Sequence, residues 1–261
     1  MSDLADNPSL LDVAGLRPEA VSGERAELRA LTAALQGRDG FIARLGHELR
    51  NSVSPMLLLA EQLQAMAGDP AAPAQLASRA AMLTRCLGRL VATIDRVAEV
   101  AELRRGALRL TPTTVDLVEV VTGVCQAAGA QAAAGGAVLV IDAPAPVLGS
   151  WDRARLGQIV ENLVSNAIRY GGGGRIELAV VDRGSAGELI VRDHGPGLDP
   201  AMLAHLFDAH GPLDGEHNRR IGGFGVGLWI VKALCAAMQG AVTAENDPSG
   251  GARLCVVLPR G

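Results

Sequence analysis

A heptad series of apolar residues limits how this chain can fold more than any other feature of the sequence. From about Glu24, apolar residues recur at alternating steps of three and four, and only Arg38 and Ser52 interrupt them at the expected positions. Because such spacing puts one apolar seam along a long helix, it predicts a coiled coil. The seam residues are Leu28, Leu31, Leu35, Ile42, Leu45, Leu49, Met56, Leu59, Leu63 and Met66.

A second heptad series follows a break at residues 68–73, where Gly68, Pro70 and Pro73 are expected to end the first helix. Two long helices joined by a short loop form a hairpin, and one hairpin cannot cover two apolar seams. Two hairpins can cover them as a four-helix bundle, so residues 24–105 are predicted to form a homodimer. The second seam consists of Leu76, Leu83, Leu87, Leu90, Ile94, Val97 and Ala101.

Beyond residue 105 the pattern changes to short strands and helices. This order predicts an α/β sandwich over residues 106–261, with a mixed sheet covered on one face by helices. The fold class is therefore α+β, with a flexible tail at residues 1–23 before the hairpin. Strands are predicted near 107–118, 137–142, 175–181, 188–192, 241–246 and 252–258, and helices over 116–133, 152–170, 200–206 and 225–238.

Charge and cysteine usage exclude several classes of protein. The net charge is −4 and the basic residues are scattered, which argues against a nucleic-acid interface. The four cysteines lie far apart without a CxxC pair, so we expect small buried hydrophobes in a reducing compartment. No apolar stretch approaches the roughly 20 residues that a membrane span needs. A cytoplasmic chain without a membrane span is therefore expected.

One predicted helix in the second half carries the residue types that ligate a hard cation. Asn162 and Asn166 are four residues apart and share a helix face, and Glu161 adds a carboxylate. Carboxamide and carboxylate oxygens are suitable ligands for the Mg²⁺ of a nucleotide. By itself, the spacing is also that of surface asparagines on an ordinary amphipathic helix.

Three further segments carry glycines or a possible anchor at positions suited to a nucleotide. Asp193 to Gly197 follows a strand, and its glycines permit close backbone approach, although a capped Gly-Pro turn has the same sequence. Residues 222–228 open a helix with glycines, and bare amides at a helix N-terminus bind phosphate. Leu206 and Phe207 are suited to anchor the polar, Gly-rich stretch at residues 208–222, which could close over the triphosphate as a lid.

In this order, the four segments resemble the N, G1, F and G2 boxes of the gyrase, heat-shock-chaperone, histidine-kinase and mismatch-repair ATPase superfamily. The resemblance implies a Bergerat (GHKL) fold with ATP and Mg²⁺ as cofactors. It implies that Asn166 ligates Mg²⁺, with Glu161 nearby, and that Asp193 binds the adenine amino group. The other nucleotide contacts that it implies are Asn162, Arg169, Tyr170, Gly195, Gly197, Phe207, Gly223, Gly225, Gly227 and Leu228.

The first helix contains one histidine in an informative position. In the heptad register His47 falls at f, facing away from the seam, with Glu48 beside it and Asn51 one turn further. An exposed imidazole is nucleophilic near neutral pH, and a neighbouring carboxylate can accept its proton. A surface histidine beside a helix-forming glutamate fits the position equally well.

This segment resembles the H box of the dimerisation and phosphoacceptor domain of histidine kinases, a family that combines such a hairpin with the ATP domain in this order. The resemblance implies that His47 accepts the γ-phosphate, that Glu48 is its general base and that Asn51 orients water when the same bundle dephosphorylates its partner. It also implies a response regulator as partner and leaves room for a separate sensor protein. Ser52 stands where the family often has proline, which concerns helix bending only.

Two alternatives remain open at this point. The chain can be a phosphotransfer or scaffold protein that has lost ATP binding, or a superfamily ATPase without phosphohistidine chemistry. Intact Asn166 and Asp193 argue against the first alternative, and the outward-facing His47 argues against the second.

Overall fold

The computed structural model describes residues 49–50, 53–64, 73–105, 108–208 and 226–261. The predicted functional residues His47, Glu48, Asn51, Gly223 and Gly225 lie outside these ranges. Their predicted roles are therefore untested by the coordinates.

Two helices form the part of the hairpin that is described, and burial on the first of them follows the predicted seam. Helix α1 covers residues 53–64 and α2 runs from Pro73 to Arg104. On α1 the seam residues Met56 and Leu59 are buried, whereas their off-seam neighbour Leu57 is exposed. The guanidinium of Arg79 donates a 2.9 Å hydrogen bond to Oε1 of Gln62, which joins the two helices. The heptad prediction is confirmed for these residues.

An apolar stripe on α2 remains exposed to solvent. Leu87 and Ile94 are about half exposed, although both belong to the predicted seam, and Met82 and Val91 are exposed as well. This is the outcome expected when a single hairpin has more apolar surface than it can cover.

The second part contains two sheets and four helices among the described residues. The larger sheet has the strand order β2-β4-β5-β7-β6; β2 is parallel to β4 and the other pairs are antiparallel. Strands β1 and β3 form a separate antiparallel pair. The elements are β1 (Thr113–Asp116), α3 (Leu117–Ala134), β2 (Ala137–Asp142), β3 (Leu148–Trp151), α4 (Arg153–Tyr170), β4 (Gly174–Asp182), β5 (Ala186–Arg192), α5 (Pro200–Leu203), α6 (Gly227–Ala237), β6 (Ala241–Asn246) and β7 (Ala252–Pro259).

The predicted α/β sandwich is confirmed, with two local differences. The strand expected over 107–118 is limited to Thr113–Asp116, since Asp116 caps α3 by accepting from the backbone N–H of Val118. Strand β3 was not predicted. The inner face of the sheet and helices α3, α4 and α6 share one core, which includes Leu156, Ile159, Leu163, Ile176, Leu178, Leu189, Ile230, Leu234, Val256 and Leu258.

Among the described residues, one helix is long and apolar enough to cross a membrane by length and composition alone, namely α3. Leu117, Val120, Val121, Cys125 and Ala132 of this helix are buried, and α3 packs against α4 and β2. Such packing is typical of the core helix of a folded domain. The expectation that the chain has no membrane span remains a prediction.

Asp152 fixes the start of α4 and the segment that leads out of the hairpin. Its Oδ1 accepts from the backbone N–H groups of Ala154 and Arg155, at 3.0 and 3.1 Å. Its Oδ2 accepts from the backbone N–H and the hydroxyl of Thr111, at 2.9 and 3.0 Å. One buried carboxylate therefore serves as helix cap and as anchor for the linker.

Replacing Asp152 by alanine is expected to lower the free energy of unfolding by about 2 kcal/mol at pH 7, because a cap and a linker bond are both lost. Burial acts to raise the pKa of Asp152, but the hydrogen bonds from Thr111, Arg155 and Ala154 outweigh it and hold this pKa below its usual value. Since the depressed pKa stabilises the fold above the unfolded value of about 3.9, the difference between wild type and D152A should shrink as the pH falls below about 4.

Urea unfolding at pH 7 and at lower pH measures this effect. The matched control is D199A, which removes the side-chain cap of the short helix α5, where the carboxylate of Asp199 accepts one described hydrogen bond, from the backbone N–H of Ala201. Equal losses in the two variants would contradict the anchoring role of Asp152.

Candidate nucleotide site

Helix α4 places two asparagines opposite its buried stripe. Leu156, Ile159, Leu163 and Ala167 are at most 5% exposed, as predicted. Their burial fixes the rotation of the helix, so that half-buried Asn162 and Asn166 lie on its other face. The predicted buried stripe of α4 is therefore confirmed, and the role of the asparagine face in ligand binding stays a prediction.

The asparagine face meets the start of α6. A Cβ atom added to Gly227 would lie 2.9 Å from Oδ1 of Asn162 and 4.0 Å from Nδ2 of Asn166, so a larger residue there would displace the Asn162 carboxamide. The side chain of Val226, the residue that precedes α6, makes no capping hydrogen bond. Amides in the first turn of α6 are therefore suited to bind phosphate next to Asn162 and Asn166.

Asp193 is held at the end of β5 by backbone groups on both sides. Its Oδ1 accepts from the N–H of Gly195 at 2.9 Å and from the N–H of Ala252 at 3.1 Å, and its own N–H donates to the Ala252 carbonyl at 3.0 Å. The residue is 7% exposed. Because these two bonds both use Oδ1, the carboxylate can present Oδ2 to an amino group of a ligand.

Two glycines bring the Asp193 turn against the end of α4. A Cβ on Gly195 would lie 2.8 Å from Cα of Gly171, and a Cβ on Gly171 would lie 2.9 Å from Cβ of Asp193. This contact places Tyr170, which is 39% exposed, beside the turn. The segments predicted to form the N and G1 boxes are thus neighbours in space, at the other end of α4 from its cap.

The remaining predicted residues differ in their placement. Arg169, Phe207 and Leu228 are half-buried. Glu161, which directly precedes Asn162 in the sequence, is exposed. In the described ranges no group of three histidine, cysteine, aspartate or glutamate side chains is arranged to hold a metal ion. That Asn166 ligates a Mg²⁺ ion at this site stays a prediction.

Asn246 and Gly251 also hold the site together, and sequence reasoning missed both. The carboxamide of Asn246 accepts from the N–H of Leu198 at 2.6 Å and donates to its carbonyl at 2.8 Å, beside Gly197 with φ +78°. A Cβ on Gly251 would overlap the carbonyl oxygen of Asp193. The pair Gly250–Gly251 was the available signal, because adjacent glycines mark a turn with positive φ.

The cysteines take no part in the site. Burial raises the pKa of Cys125 to about 11 and that of Cys235 to about 12. Burial, followed by the hydrogen bond to the Glu188 carboxylate, raises the pKa of Cys255 to about 12. Thiols with such pKa values are protonated and unreactive near neutral pH. Cys125 and Cys235 are buried as predicted, whereas Cys86 and Cys255 are only partly buried.

A glycine at a helix start, two asparagines on the facing helix and a buried aspartate are the arrangement expected of a nucleotide-binding domain. In agreement, residues 151–261 match the family of histidine kinase-, DNA gyrase B- and HSP90-like ATPases. Two curated relatives, both named as histidine kinases, extend the similarity across the hairpin.

The sensor-like histidine kinase SenX3 of Mycobacterium tuberculosis is 35% identical over 228 residues, which are 85% of this chain and 54% of that protein. The signal transduction histidine-protein kinase BaeS of Escherichia coli is 30% identical over 227 residues, covering 86% and 47% of the two chains. This chain thus spans about half the length of these relatives. The structure of the histidine kinase AdeS of Acinetobacter baumannii shares its fold, with a TM-score of 0.64, 21% identity, and 82% and 98% coverage.

Proposed function

We propose that the chain is an ATP-dependent protein-histidine kinase that phosphorylates its own His47 and passes the phosphoryl group to an aspartate of a response regulator. The observation that carries this proposal is the geometry of Asp193, whose Oδ1 is used by two backbone N–H groups. Its Oδ2 is then available to accept a hydrogen bond from the amino group of adenine. Hydrolysis of the aspartyl phosphate on the regulator, with Asn51 orienting the water and inorganic phosphate leaving, belongs to the same proposal.

Each part of the described site contributes to positioning the nucleotide. Asp193 fixes the base, the first turn of α6 holds phosphate oxygens, and Asn166 ligates the Mg²⁺ that accompanies them. The bound cation would neutralise charge on the phosphates, which phosphoryl transfer requires together with in-line positioning. The imidazole of His47 forms the bond to the γ-phosphorus, ADP leaves, and Glu48 accepts the ring proton.

A homodimer is part of the proposal, and the exposed stripe on α2 supports it. Leu87, Val91 and Ile94 are each about half exposed and follow helical spacing. A second hairpin that covers this stripe would complete a four-helix bundle. The free, widely separated cysteines favour a reducing compartment, so we place the protein in the cytoplasm.

Labelling with γ-labelled ATP and Mg²⁺ tests the function. The wild type should acquire label that is labile in acid and stable in base, as expected of a phosphohistidine, whereas ATP labelled at the α-phosphate should leave none. H47Q should acquire no label while it binds nucleotide as the wild type does. Acid-stable label, or label that persists in H47Q, would refute the assignment of His47. Nucleotide binding without any label in the wild type would favour the alternative of an ATPase without phosphohistidine chemistry.

A further inference from the structure

Near its end, α2 is attached to the first turns of α4 by one carboxylate. Oε1 of Glu99 accepts from Nη1 of Arg155 at 3.0 Å, and Oε2 accepts from Nε2 of Gln158 at 2.5 Å. Arg155 also donates to Oε1 of Gln158 at 3.2 Å, which closes a three-residue cluster. The side chain of Glu99 is 11% exposed, and the adjacent Val100 is 2% exposed. The contact is therefore a packed one, unlike an ordinary surface ion pair.

The cluster leads directly to the nucleotide site. The backbone carbonyl of Gln158 accepts from Nδ2 of Asn162 at 2.9 Å, and Oδ1 of Asn162 faces Gly227 at the start of α6. The residue whose side chain binds Glu99 thus orients an asparagine of the site through its backbone. Since Asp152 ties the same end of α4 to Thr111, this helix is held at two points by the chain that leaves the hairpin.

The attachment lies about two helical turns along α2 from the level of Leu49. The hydrogen bond between Arg79 and Gln62 aligns the two antiparallel helices, so Leu49 is level with about residue 92 of α2. Glu99 lies seven residues beyond that point, which corresponds to about 10 Å along a helix. His47 precedes Leu49 by two residues in the sequence.

We infer that Glu99 is a positioning residue, through which α2 holds the ATP domain where its nucleotide can reach the phosphoacceptor histidine. This inference rests on the proposed function and adds a residue that touches neither nucleotide nor histidine. Glu99 acts by fixing the orientation of α4 relative to the helical bundle. Loss of the contact should therefore lower the rate of phosphoryl transfer and leave the affinity for ATP unchanged.

The initial rate of His47 labelling in the full chain, at saturating ATP and Mg²⁺, tests the inference. E99A is expected to label about tenfold more slowly than the wild type, because misplaced reactants raise the barrier. The KM for ATP should stay within about twofold, since Asp193 and the first turn of α6 remain intact. The matched control is E102A, which removes an exposed carboxylate one turn further along α2 and should label at the wild-type rate.

A charge exchange separates positioning from a structural role. R155E should label slowly, and the double variant E99R with R155E should recover part of the rate, because the ion pair is restored with its charges exchanged. Three results would each overturn the inference. E99A could label as fast as the wild type or faster, a rise in its KM for ATP could account for the lower labelling rate, or the double variant could label no faster than R155E. An unlabelled wild type would overturn the proposed function with it.

Discussion

Replacing Asp193 by asparagine is expected to weaken ATP binding about 100-fold and leave the fold intact, since an unmade hydrogen bond to a charged group costs this much. The N–H groups of Gly195 and Ala252 require an acceptor, so the new side chain must turn its oxygen toward them. Its amide nitrogen, a donor, then lies where Oδ2 was. The amide N–H of the new asparagine would then face the N–H of the adenine amino group, and no hydrogen bond could form between these two donors. Isothermal titration with a non-hydrolysable ATP analogue and thermal unfolding measure the two effects.

The same variant should change the choice of base. A donor at this position matches the carbonyl group that guanine carries where adenine has its amino group. GTP binding should therefore strengthen while ATP binding weakens. The ratio of ATP affinity to GTP affinity should fall by more than the ATP affinity itself does. Asp199 provides a control, because D199N alters an exposed carboxylate of the same type outside the site. Wild-type ATP affinity in D193N would show that the adenine amino group is bound elsewhere.

Replacing Gly251 by alanine is expected to destabilise the ATP domain by about 3 to 5 kcal/mol, because the new methyl group meets backbone that cannot move aside. It would overlap the carbonyl oxygen of Asp193 and lie 2.9 Å from Cα of His194. Gly251 also has φ +89°, where alanine is strained. The thermal midpoint should fall by about 10 °C. Nucleotide binding should weaken as well, since Asp193 is displaced from Ala252.

Gly250 provides a control that separates the backbone strain of a positive φ from the overlap of atoms at residue 251. Gly250 has φ +97°, and a Cβ there meets no atom of the described residues within 4 Å. G250A should therefore show the backbone strain alone, about 1 kcal/mol, with nearly normal nucleotide binding. If G250A and G251A lost equal stability, the close approach of residue 251 to Asp193 would have no energetic consequence.

Local patterns in the sequence predicted the helices and most strands, because burial of an apolar face determines them. The heptad spacing predicted the burial of Met56 and Leu59, and the apolar stripe of α4 predicted which face carries Asn162 and Asn166. Strand β3 escaped prediction since it has four residues and pairs with a strand more than thirty residues earlier in the chain. Its stability comes from that pairing, which no local pattern contains.

The site was predicted where motifs carry it and missed where distant segments meet. Asp193 and Gly227 stand in recognisable motifs, but Asn246 and Gly251 act only because β6 and β7 end beside the Asp193 turn. The same reason explains Glu99, an ordinary charged residue on α2 until α4 packs against it. Contacts of this kind follow from topology, and one sequence without structure does not reveal them.

The position of β7 between β5 and β6 determines when the protein can first bind its nucleotide during synthesis. This strand, Ala252–Pro259, is translated after every other strand of the sheet, yet it lies inside the sheet and its first residue donates to the carboxylate of Asp193. A nascent chain that stops before residue 252 leaves β5 and β6 without their shared neighbour. A chain that is released before residue 252 should therefore lack the backbone donor that holds the Asp193 carboxylate, so that incomplete copies never complete this site.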